Sequence, residues 1–329
     1  MAQFILDPKK VIEQVNSLKH LGKVWFNLKT NIEVGKVLES QTNIKLVATG
    51  FNNLKRISDK KRSVVLLQGE TKEQIKEMLK LGVNSFIIDN ECDLNKLQNL
   101  TDTANIFLRI KFKEHSVYTG KYFVYGFDWR HAIELAKTIK GNVGIHFHRK
   151  TQNVGEWSLV DDLKPIVEKL EGIVNWINIG GGLPSMYKNS NPKLKPIFEK
   201  IGELKNYLSE KNIGLILEPG RYIAAPAVKL ETNVLLAYDR NLVIDASIYN
   251  AYMDSFLFNM RLLVESETES GFQYLIKGKS PDSLDIFRYK VFFNKEKKEG
   301  DKIVFLNAGA YNFHTDFSDL EKIKTVIRT

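Results

Sequence analysis

A single cysteine, Cys92, stands in 329 residues. That excludes an internal disulfide and any metal site built from several thiolates. No run of 18 apolar residues occurs, so neither a membrane-spanning helix nor a membrane partner is expected. The opening MAQFILDPKKVIEQV brings Asp7 and Lys9 in too early for the apolar stretch of a secretory signal, and a cytoplasmic protein is the expectation. Proline is sparse, at 8 residues, and there is no low-complexity stretch. With 43% hydrophobic residues the chain can fill one large core or two ordinary ones.

Charge of one sign is in excess, at a formal +9. The lysines nevertheless lie scattered among glutamates along helix-patterned segments such as 72–80 and 193–211. The densest run, Lys295-Glu296-Lys297-Lys298, is short and falls in an expected turn. This is the pattern of a solvated surface, and no nucleic-acid partner is expected.

Short β-branched and apolar runs alternate with helix-patterned segments from the start. They are 24–29, 45–50, 63–68, 85–89, 106–112, 143–149, 176–181 and 214–220. Most are apolar on both faces, the mark of buried parallel strands. Eight such units indicate a (β/α)₈ TIM barrel, with an open doubly wound sheet as the competitor. Lys29, Thr49, Asp89, Arg109, His148, Asn178 and Glu218 fall at the carboxyl ends of the runs, where such a barrel gathers its reactive groups. After Pro226 the pattern becomes strand-like runs joined by turns, with one helix expected over 252–265. The expected division is a barrel over 1–225 and a C-terminal β-rich domain over 226–329.

The stretch Gly214 to Tyr222, GLILEPGRY, has an apolar strand body and a charged pair, Glu218 and Arg221, at its tip. The two charges could pair with each other or serve a ligand. Lys29 closes the first barrel strand, and desolvation there lowers an amine toward the neutral form that makes Schiff bases. Gly180, Gly181 and Gly182 follow another strand and free several N–H groups to point at one anion. His146 and His148 flank Phe147 on the run 143–149; the expectation is that they face opposite sides of the strand and do not share a metal. A single histidine facing the barrel mouth could lie flat against an aromatic ring or be a satisfied core histidine. Cys92, at the expected start of a helix, reads as a half-buried structural thiol.

The motifs NLKTN, GIHFH, NIGGG, LEPGRY and GAY occur in that order. As a set they resemble the fold-type III pyridoxal-phosphate decarboxylases, the group of ornithine, diaminopimelate and carboxynorspermidine decarboxylases. The resemblance implies an alanine racemase-like barrel followed by a β domain, with pyridoxal 5'-phosphate as cofactor and no metal. It makes Lys29 the Schiff-base lysine, His148 the histidine stacked on the cofactor ring, and Glu218 the carboxylate at the pyridine nitrogen. Gly180, Gly181, Gly182, Gly220 and Arg221 match the phosphate clamp, Thr151 the place of a phosphate-binding serine, and Tyr311 a tyrosine at the phosphate. Arg109 resembles the arginine of the family's LRI strand.

The family's partner-subunit loop corresponds to Gly278–Asp285, with Pro281 where the family has a cysteine. The resemblance implies that Asp282 could hold the substrate's distal ammonium, with a solvated acidic turn as the alternative for Asp282 and the favoured expectation for Asp285. The implied activity is decarboxylation of an amino acid with a distal amine, ornithine to putrescine first. Diaminopimelate, lysine and carboxynorspermidine are the alternative substrates, and a non-catalytic pyridoxal-phosphate-binding relative is the alternative class. A head-to-tail homodimer with shared sites is expected, with Asp282 and Tyr311 reaching across.

Overall fold

The computed structural model describes residues 1–111 and 125–328. A first strand, β1 (Gln3–Leu6), is followed by eight short ones: β2 (Lys23–Asn27), β3 (Lys45–Thr49), β4 (Ser63–Leu66), β5 (Ser85–Ile88), β6 (Asn105–Arg109), β7 (Val143–His146), β8 (Trp176–Asn178) and β9 (Gly214–Leu217). Each of β2 to β9 runs parallel to the next, and β9 returns to β2 through Lys23↔Ile216 and Val24↔Leu217. That closing pair makes the barrel and excludes the open sheet. The run expected over 106–112 ends as β6 at Arg109, and Phe112 lies outside the described residues.

Side chains alternate along a strand, so one residue per strand defines each interior layer. Trp25, Val47, Val64, Ile87, Phe107 and Ile216 form a single buried cluster, with Leu66 and Trp176 packed on it. Trp25 and Phe107 meet edge to face, with centroids 5.2 Å apart. This apolar layer plugs the barrel. Two residues further along each strand, the same alternation directs Asn27, Thr49, Asp89, Arg109, His146, Asn178 and Glu218 to the interior, one layer nearer the carboxyl ends. At the opposite ends, side-chain amides link strand to strand: Asn175 donates to Asn142 at 3.1 Å and Asn142 to Asn105 at 2.9 Å. The two ends of the barrel thus divide into a stabilising face and a chemically equipped one.

The helices between strands are set by their caps. Thr71 and Gln74 form a capping box on Lys72–Lys80. Asn31 accepts from the N–H groups of Glu33 and Val34 and so starts Ile32–Gln41. Among the described residues, no helix is long and apolar enough to cross a membrane. No group of three or more His, Cys, Asp or Glu is suited to a metal ion among them either.

The chain divides into two compact units that interleave in sequence. The barrel unit takes Gln14–Pro184 and Lys193–Gly220, and the second takes Met1–Glu13, Ser185–Pro192 and Arg221–Thr329. The opening segment joins the second unit because β1 pairs antiparallel with β10 (Val228–Tyr238) and parallel with the last strand, Lys324–Ile327. The second unit's sheet also holds Asn241–Ile244, Leu263–Val264, Phe272–Lys277, Ile286–Phe293 and Lys302–Leu306. The single helix expected over 252–265 is not formed. One one-turn helix, Asp254–Leu257, takes part of its place, another, Ile248–Ala251, precedes it, and Asn259 adopts a left-handed φ of 52° that ends helical progress before Leu263 and Val264 pair as a strand.

Candidate active site

The polar interior layer is where the barrel's chemistry collects. Lys29 follows β2 directly, in a single 3₁₀ turn spanning Leu28–Thr30. Its amine reaches solvent at the open end, yet protein surrounds enough of it to lower its pKa, first by desolvation and then by the Arg109 cation. Glu218 opposes that fall. The carboxylate is itself buried, at 4% exposure, and desolvation pushes its pKa up. Asn178, Lys29, Arg109 and Asn27 all pull in the other direction, toward the ionised form. Asn178 Nδ2 donates to Glu218 Oε1 at 2.7 Å. The sequence motifs thus bring Lys29, Arg109 and Glu218 into one electrostatic neighbourhood.

The histidines depart from expectation. Residues two apart on a strand share a face, so the expectation of opposite faces fails on the pleat itself, and the strand in any case ends at His146. His146 is buried in the interior layer, with Nε2 3.9 Å from Glu218 Oε1. Desolvation first, then Arg109, His148 and Lys29, depress its pKa well below the ordinary value, so the imidazole is neutral. His148, past the strand end, is half-buried and accepts the Gly181 N–H at 3.0 Å through Nδ1. Desolvation, Lys29 and Arg109 hold its pKa down to about 3. Both histidines therefore serve the same end of the barrel.

Gly180 sits against Phe147, with left-handed φ of 63° and space for a Cβ only 2.5 Å from the Phe147 carbonyl oxygen. Only glycine meets both conditions. The following loop returns to the glycines through the Asn153 N–H, which donates to the Gly182 carbonyl at 2.9 Å. Thr151 lies half-buried in that loop. Gly220 packs on Thr30, beside Lys29, where a Cβ would collide with the Thr30 hydroxyl.

Within the second unit, Arg221 is buried and donates through Nη1 to Asp254 and to the Tyr187 hydroxyl. Burial opposes its charge, but Tyr187 and Asp254 outweigh that and raise its pKa above the ordinary arginine value. The alternative in which Arg221 pairs with Glu218 is not taken: its carboxylate partner is Asp254, a residue the sequence did not single out. Tyr311 holds a left-handed φ of 54°, and the Arg221 guanidinium lies 5.0 Å from its ring centroid. Asp282 is half-buried and accepts the Leu284 N–H at 2.6 Å. Asp285, expected to be a solvated acid, is fully buried. It accepts from the Ile248 N–H at 2.9 Å and the Ser280 N–H at 3.0 Å, so two backbone donors explain its burial. Cys92 is exposed rather than half-buried, on the outer helix Glu91–Gln98.

Among the barrel unit's buried polar atoms without a hydrogen-bond partner, Asn27 Oδ1, Thr30 Oγ1 and His146 Nδ1 belong to the residues around this site. Buried polar atoms are ordinarily satisfied, so their convergence around Lys29 and Glu218 marks a place shaped for a polar ligand. An amine of depressed pKa and a buried carboxylate suit the aldehyde and ring nitrogen of pyridoxal phosphate in turn. The expected donors to its phosphate are differently engaged: the Gly180 N–H donates to Asn178 Oδ1, the Gly181 N–H to His148 Nδ1 and the Gly220 N–H to the Glu218 carbonyl. Sequence reasoning had passed over Asn27 and His146. The signal was present: each lies two residues beyond an inward position on its strand.

The fold and this donor set define a pyridoxal-phosphate barrel, and comparison with known proteins agrees. Residues 10–225 match the family described as pyridoxal-dependent decarboxylase, pyridoxal binding domain. The chain belongs to that family and carries its cofactor-binding barrel.

Among curated relatives, it is 23% identical over 249 residues to the lysine/ornithine decarboxylase of Selenomonas ruminantium, covering 70% of this chain and 62% of that one. It is 24% identical over 279 residues to the diaminopimelate decarboxylase of Helicobacter pylori, covering 74% of this chain and 66% of the other. A third relative, antizyme inhibitor 2 of Xenopus laevis, is 29% identical over 49% of this chain and 38% of its own length. The match thus spans less than two thirds of each of these relatives. Among solved structures, the lysine/ornithine decarboxylase of Vibrio vulnificus complexed with putrescine superposes with a TM-score of 0.85. The identity there is 20%, with 100% of this chain and 94% of that one covered, which establishes a shared fold.

Proposed function

We propose that this chain is a pyridoxal-phosphate-dependent decarboxylase of an L-amino acid with a distal amine, with ornithine as its first substrate. One observation carries the reading. The Lys29 amine and the Glu218 carboxylate stand at the ends of β2 and β9, the pair of strands that closes the barrel, and each perturbs the other's charge.

Bound there, pyridoxal phosphate supplies an electron sink for the pair left on the α-carbon when the carboxylate departs as carbon dioxide. In this reading Lys29 Nζ, kept partly deprotonated by its surroundings, is the amine that bonds the cofactor aldehyde. Glu218 holds a proton at the ring nitrogen, which deepens the sink and favours decarboxylation over racemisation. The neutral His148 imidazole lies against the ring face while Nδ1 keeps Gly181 in place. The motif match assigns Gly180, Gly181, Gly182, Gly220 and Thr151 to the phosphate, and Arg109 contributes positive potential. Arg221 and Tyr311 are added to the phosphate by the motif match alone. Asp282 binds the distal ammonium across a head-to-tail homodimer, to which Tyr311 also contributes.

Lysine, diaminopimelate and carboxynorspermidine are the alternative substrates. A cofactor-binding protein without turnover is the second reading, favoured by Pro281 at the position of the family cysteine and by relatives named antizyme inhibitors rather than decarboxylases. The purified protein is expected to be yellow, with an absorbance that borohydride traps on Lys29 and that Lys29→Ala abolishes. Carbon dioxide release is then measured over ornithine, lysine, arginine, diaminopimelate and carboxynorspermidine. Trapped cofactor with no turnover on any of these selects the second reading, and absence of a trapped adduct refutes both.

A further inference from the structure

Glu218 lies between two amides. On one side β8 presents Asn178, whose Nδ2 donates to Glu218 Oε1 at 2.7 Å. On the other, β2 presents Asn27 in the same layer, a neighbour that favours the ionised carboxylate. The three residues occupy the same interior layer on three neighbouring strands, in the order β8, β9, β2. Asn178 cannot turn its amide over, because its Oδ1 already accepts the Gly180 N–H at 2.9 Å. The Gly180 carbonyl in turn accepts the Glu218 N–H at 2.7 Å. One side chain thus ties the acid to the glycine loop and presents it with a donor of fixed direction.

We infer that Asn27 and Asn178 are positioning residues that hold the Glu218 carboxylate ionised and correctly aimed for the pyridine nitrogen of the cofactor. The inference rests on the reading of Glu218 given above. Burial works against an ionised Glu218, while Lys29 and Arg109, from β2 and β6, work for it. His146, the β7 group nearest the carboxylate at 3.9 Å, is neutral and adds no charge. The cations belong to groups with other work to do, one of which bonds the cofactor itself. The amides have no other assignment on the carboxylate side, and the direct hydrogen bond from Asn178 persists whatever the charge on Lys29.

The test is the affinity of the cofactor-free protein for pyridoxal phosphate, titrated by fluorescence between pH 5 and pH 8. Asn27→Ala and Asn178→Ala are expected to move the acid limb of that affinity upward by about one pH unit each. Binding below the limb then weakens by roughly tenfold, with little change at pH 8. In a Glu218→Gln background Asn27→Ala is expected to add no further shift, since no carboxylate remains to be held. Should Asn178→Ala fail to fold, Asn27→Ala carries the test alone, because Asn27 has no bond to the glycine loop. An unshifted limb in both variants overturns the clamp, as does a weakening equal at every pH, the mark of a purely structural role. If Glu218→Gln itself leaves the wild-type profile unaltered, the ring-nitrogen reading falls, and the clamp with it.

Discussion

Arg221 and Asp254 form a buried ion pair, each less than 5% exposed, with the Tyr187 hydroxyl accepting from the same Nη1. Removing one partner of such a pair leaves an uncompensated charge out of water, which is far worse than removing both. Asp254→Asn is therefore expected to destabilise the protein by roughly 3 kcal/mol, while Arg221→Met with Asp254→Leu recovers much of that loss. Denaturant unfolding of the three variants measures it. Equal stability of wild type and Asp254→Asn refutes the pair as a structural element.

His146 and His148 give stability a pH dependence of definite sign. Folded, both are neutral, with His148 titrating at about 3. In the unfolded chain they take up protons near pH 6.5. Between those limits the unfolded state binds more protons, so stability falls as pH drops from about 6.5 toward 3. The melting temperature of the cofactor-free protein is expected to decline steadily from pH 7 to pH 4. Replacing either histidine with glutamine should flatten the slope. A slope unchanged in both variants refutes their neutrality.

Gly180 combines a left-handed φ with the Phe147 carbonyl at its back. Gly180→Ala is expected to lose about 1–3 kcal/mol of stability from backbone strain alone. It should also weaken pyridoxal phosphate binding, because relief of the clash moves the N–H groups beside it. Thermal unfolding and cofactor titration read the two effects separately.

Two acids of one turn are expected to behave oppositely. Asp285 satisfies two backbone donors, so Asp285→Ala leaves both buried and unpaired, at a loss of about 3 kcal/mol. Asp282→Ala should barely move the melting temperature and, on the proposed function, should raise KM for substrates with a distal ammonium. The reverse pattern would exchange the two roles.

The eight parallel strands were legible because every strand but one carries its own polar terminus on an apolar body, whereas closure was not, since an open sheet with helices on both sides buries such strands equally well and only the β9–β2 pairing decides. Lys29 and Glu218 were visible for the same reason. His146 was misread because it was set on the opposite face from His148, although residues two apart on a strand share a face. Asp254 was unreadable: its partner Arg221 is 33 positions away, and nothing in YMDSF announces that one aspartate goes inside. Asp285 was missed because an acid in a turn looks the same whether it faces water or backbone N–H groups.

β1 and the strand Lys324–Ile327 lie side by side although more than 300 positions separate them, with Gln3 opposite Lys324. Contacts of such long range form late, since so much chain must be brought together first. During synthesis the barrel's residues are complete by Gly220, well before this pairing becomes available. Until then β1 presents an unpaired edge, where a chaperone or a second nascent chain would bind first.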